Sequence, residues 1–174
     1  MGMYTTLAFH IKVKPEYRQV VSDMLDTFDW SNPLELEEIK SYDNYPFTKE
    51  YCSKHRATFI PYGALLVDIN AEYSDKAPIN YSKNDYNEET GDWEVGCSLK
   101  NYDNEIEFYE EKILPILAEE CYYIYDRYEE YDSHRVLTIE EGKLKLLKEN
   151  EWERINKSYK KSANVRLIND MGNN

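Results

Sequence analysis

The side chain best placed to move a proton near neutral pH is His10. It lies in an alternating stretch, on the same expected face as Asp68 and Glu94 of two other alternating stretches. A His between carboxylates is what general acid–base chemistry uses. The plainer account is a solvated polar face, because such groups are informative only in a cleft. Cys52 and His55 have the Cys-x-x-His spacing of half a metal site. No second pair accompanies them, and a structural zinc takes about four such ligands. No metal is therefore expected. With six glycines, the chain has neither a Gly-x-Gly-x-x-Gly nor a Gly-x-x-x-x-Gly-Lys loop to cradle a phosphate. It has no Gly-x-Ser-x-Gly elbow either. No catalytic residue and no cofactor is assigned, and a non-enzymatic protein is expected.

Residues suited to binding are easier to find. Tyr122, Tyr123, Tyr125, Tyr128 and Tyr131 form a dense aromatic run. If its odd positions face outward, Tyr123, Tyr125 and Arg127 make an exposed aromatic–basic strip. Tyr and Arg are enriched where binding energy concentrates. Stacked rings beside a guanidinium also suit a nucleotide base and phosphate. The alternative packs Tyr123 and Tyr125 in the core and turns Tyr122 and Asp126 out, and Ile124 competes for the inward face. Lys100, Asn101 and Tyr102 join an expected strand to an expected helix. A helix N-terminus with Lys100 beside it attracts anions. Capping explains the same residue types, with Asp103 as the expected N-cap. The candidate binding residues are thus His10, Lys100, Asn101, Tyr102, Tyr123, Tyr125 and Arg127.

The elements that must hold them follow from hydrophobic period. Tyr4 to Val13 alternates, with Thr5, Leu7, Phe9, Ile11 and Val13 on one side. Pro15 then suits the first turn of a helix over Glu16 to Trp30. Residues 31–62 read as a semi-ordered insertion, long enough to be a functional surface. Gly63 to Tyr73 alternates again, and Ser74 to Thr90 reads as a long polar connection. Asp92 to Lys100 puts Trp93, Val95, Cys97 and Leu99 on one side. Ile106, Tyr109, Ile113 and Leu117 recur at helical spacing, and Pro115 should kink that helix near its last turn. Cys121 to Tyr128 and Arg135 to Ile139 read as strands. Glu141-Gly142 signals a turn into a last strand, Lys143 to Leu147. A helix over Glu151 to Lys161 and a frayed tail follow. This order predicts an α+β fold of ferredoxin-like split βαβ (βαββαβ) type, an antiparallel sheet with two helices on one face and an added C-terminal hairpin. Residues 1–150 form the single expected domain, with the insertion at 31–62; 151–174 supply the C-terminal helix and tail. The polar far face of the sheet is expected to be open for binding.

Formal net charge is −13, with hydrophobic residues at 41% and 17 tyrosines supplying many of them. Such a chain repels nucleic-acid phosphate and anionic lipid, so neither direct nucleic-acid binding nor membrane binding is expected. It attracts basic surfaces, although acidity also simply keeps a small protein soluble. Three cysteines without paired spacing point to a reducing compartment. No signal peptide pattern is visible and no apolar run approaches bilayer length, so a cytoplasmic location is expected. An exposed sheet edge or open face offers a way to form a homo-oligomer.

The segment Val95-Gly96-Cys97-Ser98-Leu99-Lys100-Asn101-Tyr102-Asp103-Asn104-Glu105-Ile106-Glu107 resembles the central motif of a family of small uncharacterised phage and prophage proteins. In that family, Cys-x-[Leu/Phe]-Lys-Asn-Tyr-x-Asn-Glu-Ile-Glu precedes a helix with a late proline, matched here by Pro115. An Arg-Tyr-Glu-Glu segment follows, matched by Arg127-Tyr128-Glu129-Glu130, and a Met-Tyr-Thr opening is matched by Met3-Tyr4-Thr5. The likeness covers residues 3–13 and 91–140, is weak over 31–62, and is lost past Gly142. It implies a phage-encoded protein in the host cytoplasm but supplies no activity. With the acidity, it points to a binding protein that inhibits a host protein, a defence or nucleic-acid-handling factor. The alternatives are a small-ligand binder that sequesters a nucleotide signal through Lys100, Tyr125 and Arg127, and an immunity protein against a basic toxin.

Overall fold

The computed structural model describes residues 4–26, 60, 83–130, 133–155 and 157–158. Apart from Ile60, the expected insertion at 31–62 and the expected strand at 63–73 lie outside these residues. So do Cys52, His55 and Asp68.

The fold is α+β, built on a six-stranded antiparallel sheet. Strand β1 (Thr5–Val13) runs into a 3-10 turn at Pro15–Tyr17 and then helix α1 (Arg18–Asp26). Strands β2 (Lys83–Asn87) and β3 (Asp92–Leu99) form a hairpin. The central helix comes next, as α2 (Glu105–Phe108), a π-helical turn (Tyr109–Ile113) and α3 (Leu114–Leu117). Strands β4 (Ala118–Tyr128), β5 (Arg135–Glu140) and β6 (Lys143–Leu146) follow, and 149–155 are helical (α4). The strand order is β2-β3-β1-β4-β5-β6. One expectation fails here. Residues 83–87, read as part of a polar connection, form the strand beside β3, because hairpin geometry and not hydrophobic alternation places them.

Alternation decides which side chains β1 buries on the helix side. Leu7, Phe9, Ile11 and Val13 are fully buried there, as are Leu99 of β3 and Ile106, Tyr109, Ile113 and Leu117 of the central helix. Phe9 meets Trp93 edge to face at 5.0 Å between ring centroids. Burying each such apolar side chain stabilises the fold by about 1.5–3 kcal/mol. Pro115 has no N–H to offer the carbonyl of Glu111. The helix widens just before it, and the Leu114 N–H donates instead to the Tyr109 carbonyl. The expected kink therefore takes the form of a π turn.

The expectation that Asp103 caps this helix is not met. Asn104 is the N-cap residue, in a left-handed conformation (φ 57°), and its side chain makes no capping bond. Asn101 caps instead: its Oδ1 accepts from the Ile106 N–H at 2.9 Å and its Nδ2 donates to Glu107 Oε2 at 2.7 Å. At the β5–β6 hairpin, Glu141 (φ 51°) and Gly142 (φ 72°) are both left-handed, as a two-residue primed turn requires.

The far face of the sheet differs most from expectation. Ala8, Tyr123, Tyr125 and Val136 form a second core there, closed by Trp152 of α4. The Trp152 ring lies 5.7 Å from Tyr123 and 5.9 Å from Tyr125. Among the described residues, that side of the sheet is therefore roofed over β4 and β5, and its β1–β3 portion keeps polar character. Truncating Trp152 to Ala should cost about 3–5 kcal/mol in urea unfolding, because a wide aromatic cavity opens over two tyrosines. Gly91 (φ 79°) would place an added Cβ 2.5 Å from the Val13 carbonyl oxygen. Gly91→Ala should therefore destabilise by about 1–3 kcal/mol in the same assay.

Candidate functional site

Strand pairing brings His10 to a polar cleft at the end of the β2–β3 hairpin. Its Nε2 lies 2.8 Å from Asp92 Oδ1, across the β1–β3 ladder. The expected neighbour Glu94 is its register partner on the same ladder. On the other side β4 carries an irregularity: His10 pairs with Tyr123 and Ile11 with Cys121, so Tyr122 is left over. Such an extra residue re-aims its side chain. Tyr122 turns to the cleft with its ring centroid 4.4 Å from that of His10.

A second irregularity, between the pairs Lys12–Glu120 and Val13–Ala118, leaves Glu119 over. Lys12 Nζ then lies 3.2 Å from Glu119 and 3.5 Å from Glu120. These carboxylates raise the Lys12 ammonium above its ordinary value, chiefly through the Glu119 hydrogen bond. The Tyr122 hydroxyl is raised as well, first by burial and then by Glu120 and Asp92. Lys12, Asp85, Asn87, Thr90, Asp92, Glu120 and Tyr122 line an open cleft of about 510 Å³. Its hairpin wall is held by Asn87, whose Oδ1 accepts from the Thr90 N–H at 3.0 Å, and by Thr90, whose Oγ1 accepts from the Asp92 N–H at 3.2 Å.

The site has a His–carboxylate pair, a half-exposed phenol and more carboxylates than cations. Burial disfavours the thiolate at both described cysteines, pushing Cys121 up to about 11 and Cys97, in the helix-side core, up to about 12. Among the described residues, no group of three or more His, Cys, Asp or Glu side chains is arranged to hold a metal. What this arrangement does best is receive positive charge beside an aromatic ring.

None of the sequence candidates lines this cleft; His10 comes nearest, through its contacts with Asp92 and Tyr122 of the lining. Tyr123 and Tyr125 are 1% and 0% exposed, so the expected outward strip does not form. Ile124 takes the helix-side core, and its two neighbours are buried just as deeply under Trp152. Tyr125 stacks on His134 at 5.2 Å, and burial pushes its hydroxyl up to about 12 despite Arg127 beside it. Arg127 is half-buried at the end of β4. Asn101 is occupied as a helix cap, and Lys100 lies over the Tyr4 ring at 5.8 Å. Tyr102 is 58% exposed, in the loop between β3 and the central helix. The residues that sequence reasoning missed are Lys12, Asp85, Asn87, Asp92, Glu120 and Tyr122. The Asn87-Glu88-Glu89-Thr90-Gly91 turn chemistry was the available signal for the hairpin.

Comparison with family models, with curated proteins and with solved structures returned no match. Among the described residues, no helix is long and apolar enough to cross a membrane.

Replacing Glu120 with Gln should lower the titration midpoint of Tyr122, followed by NMR of labelled tyrosine rings. Tyr86 and Tyr125 should not move. An unchanged Tyr122 would show that the carboxylates do not reach it.

Proposed function

We propose that this chain is a non-enzymatic, acidic, phage-encoded binding protein that inhibits a host protein by occupying a basic surface on it. The host target is a defence or nucleic-acid-handling factor, whose basic groove meets this chain's carboxylates. The observation that carries the reading is the cleft at the β2–β3 end, where Asp85, Asp92 and Glu120 surround Tyr122 with Lys12 as the one lysine or arginine of its lining. The net charge of −13 supports it, since like charge over the whole chain speeds approach to a basic partner. The motif running from Val95 to Glu107 supports the phage origin. For the fold, the order β2-β3-β1-β4, with a helix between β3 and β4 and another after β1, supports the ferredoxin-like split βαβ reading. Strands β5 and β6 are then the added hairpin. The nucleotide-sequestering reading loses support, because Tyr125 is covered by Trp152 and His134 and has no open face for a base.

The test is a pull-down from host lysate with the wild-type chain and with a charge-reversed Asp85→Lys/Glu120→Lys variant. Wild type should retain one basic protein, released as salt rises. The variant should bind it roughly tenfold less tightly while melting at the wild-type temperature. Retention of no protein above background would refute the reading. Capture of a basic toxin in place of a host factor would reassign the chain as an immunity protein.

A further inference from the structure

A separate cluster lies between the central helix and strands β4 and β5. Glu110 lies in the π turn and is 1% exposed, and Asp126 of β4 beneath it is 7% exposed. Asp126 is in register with Leu7 of β1 and Arg135 of β5, which turns it toward the helix. The Arg135 Nη2 donates to Glu110 Oε2 at 3.0 Å, and its Nε donates to Asp126 Oδ1 at 3.1 Å. One guanidinium, itself half exposed, therefore serves two buried acids. Glu107 on the central helix adds further negative charge. From the flanking strands, β1 presents Leu7 and β6 presents Leu144 on this side, both apolar.

Among the described residues, two oxygens of this cluster remain without a donor. Glu110 Oε1 and Asp126 Oδ2 are fully buried and receive no hydrogen bond, although Nη2 of Arg135 stands 2.8 Å from Oδ2, off the line of one. A buried acceptor left this way is costly, and two facing carboxylates costlier still. One proton between the two carboxyl groups answers both needs.

We propose that Glu110 and Asp126 share a single proton, and that this proton fastens the π turn of the central helix to β4 and β5, so that its loss loosens the helix from the sheet. The electrostatics agree in direction. Burial raises Glu110 most, the Asp126 charge adds to it, and Arg135 opposes both. Asp126 is also raised by burial, against the pull of Arg135. Groups raised in the folded state bind protons more tightly there than in the unfolded chain. Their contribution is complete below the ordinary values of 3.8 and 4.5 and drains away as pH rises through the folded values. The buried thiols and phenols add the same slope only from their own ordinary values of 9.0 and 10.0 upward. The window from about pH 5 to about pH 8 is therefore clear of them; histidine is the other side chain that changes charge there, and it is common to wild type and variant, so the difference between their profiles reads this pair.

The test compares thermal melting of wild type and Glu110→Gln across that window. Gln keeps the shape and supplies a permanent N–H toward Asp126. Wild type should lose several degrees of Tm as pH rises, and the variant should lose far less. Parallel pH profiles would overturn the proposal. An independent reading, which needs no variant to fold, is the infrared carbonyl stretch of an un-ionised carboxylic acid in the wild-type protein at neutral pH. The band should be present and should vanish at alkaline pH. Its absence at neutral pH would equally overturn the proposal.

Discussion

Strand β1 is hydrogen-bonded along both edges, to β3 and to β4, and everything else hangs on that double pairing. It makes the odd positions of β1 the floor of the helix-side core and the even positions the floor of the far-face core and the cleft. A slip of one residue against either neighbour would send Leu7, Phe9, Ile11 and Val13 to the wrong face. The buried pairs Leu7–Cys97 of one ladder and Phe9–Ile124 of the other make such a slip expensive. The register is thus set by apolar burial on one face, and the polar geometry on the other face follows from it.

That dependence explains how an acidic cleft comes to exist at the end of a well-packed sheet. The two irregularities in β4 fall between the pairs His10–Tyr123 and Ile11–Cys121 and between the pairs Lys12–Glu120 and Val13–Ala118. Each adds one residue to β4 without disturbing Ile124 or Ala118, which stay in the core. The extra residues, Tyr122 and Glu119, are those that reach His10 and Lys12. Gly91 completes the arrangement from the other strand. Only a residue without Cβ can pass so close to the Val13 carbonyl, and its N–H ties back to Asn87 at 2.7 Å.

The legible parts of the sequence were those governed by local period. The alternation of Tyr4 to Val13 and Asp92 to Lys100 identified the buried residues of β1 and β3, and the spacing of Ile106, Tyr109, Ile113 and Leu117 identified the inner face of the central helix. Three features escaped because their cause is not local. Strand β2 has no apolar alternation and exists by pairing with β3. The Tyr123–Tyr125 question had no answer in β4 alone, since both faces of that strand are buried and the deciding residue, Trp152, comes late in the chain. The cleft depended on strand irregularities, which leave no mark on composition. The helix cap was missed more narrowly: Asn101 and Asp103 are both capping types, and the left-handed Asn104 decides that the former does the work.

The two cores also place the chain's charge. Among the described residues, most carboxylates lie at the surface, where water and salt screen them and where they set the partners the protein attracts. Glu110 and Asp126 are of another kind. Ionised together and buried, they would repel each other in a medium that screens poorly. An apolar pair of the same shape would satisfy the core at least as well, so burial energy alone does not account for them. What they add is direction. Arg135 approaches from β5, which joins the central helix core through Leu137, and its fork fits only when helix, β4 and β5 stand in one relative position. The π turn beside Pro115 breaks the regular bonding of the helix at that position. A polar contact with strict geometry there fixes how the helix seats on the sheet, a role that a leucine would not fill.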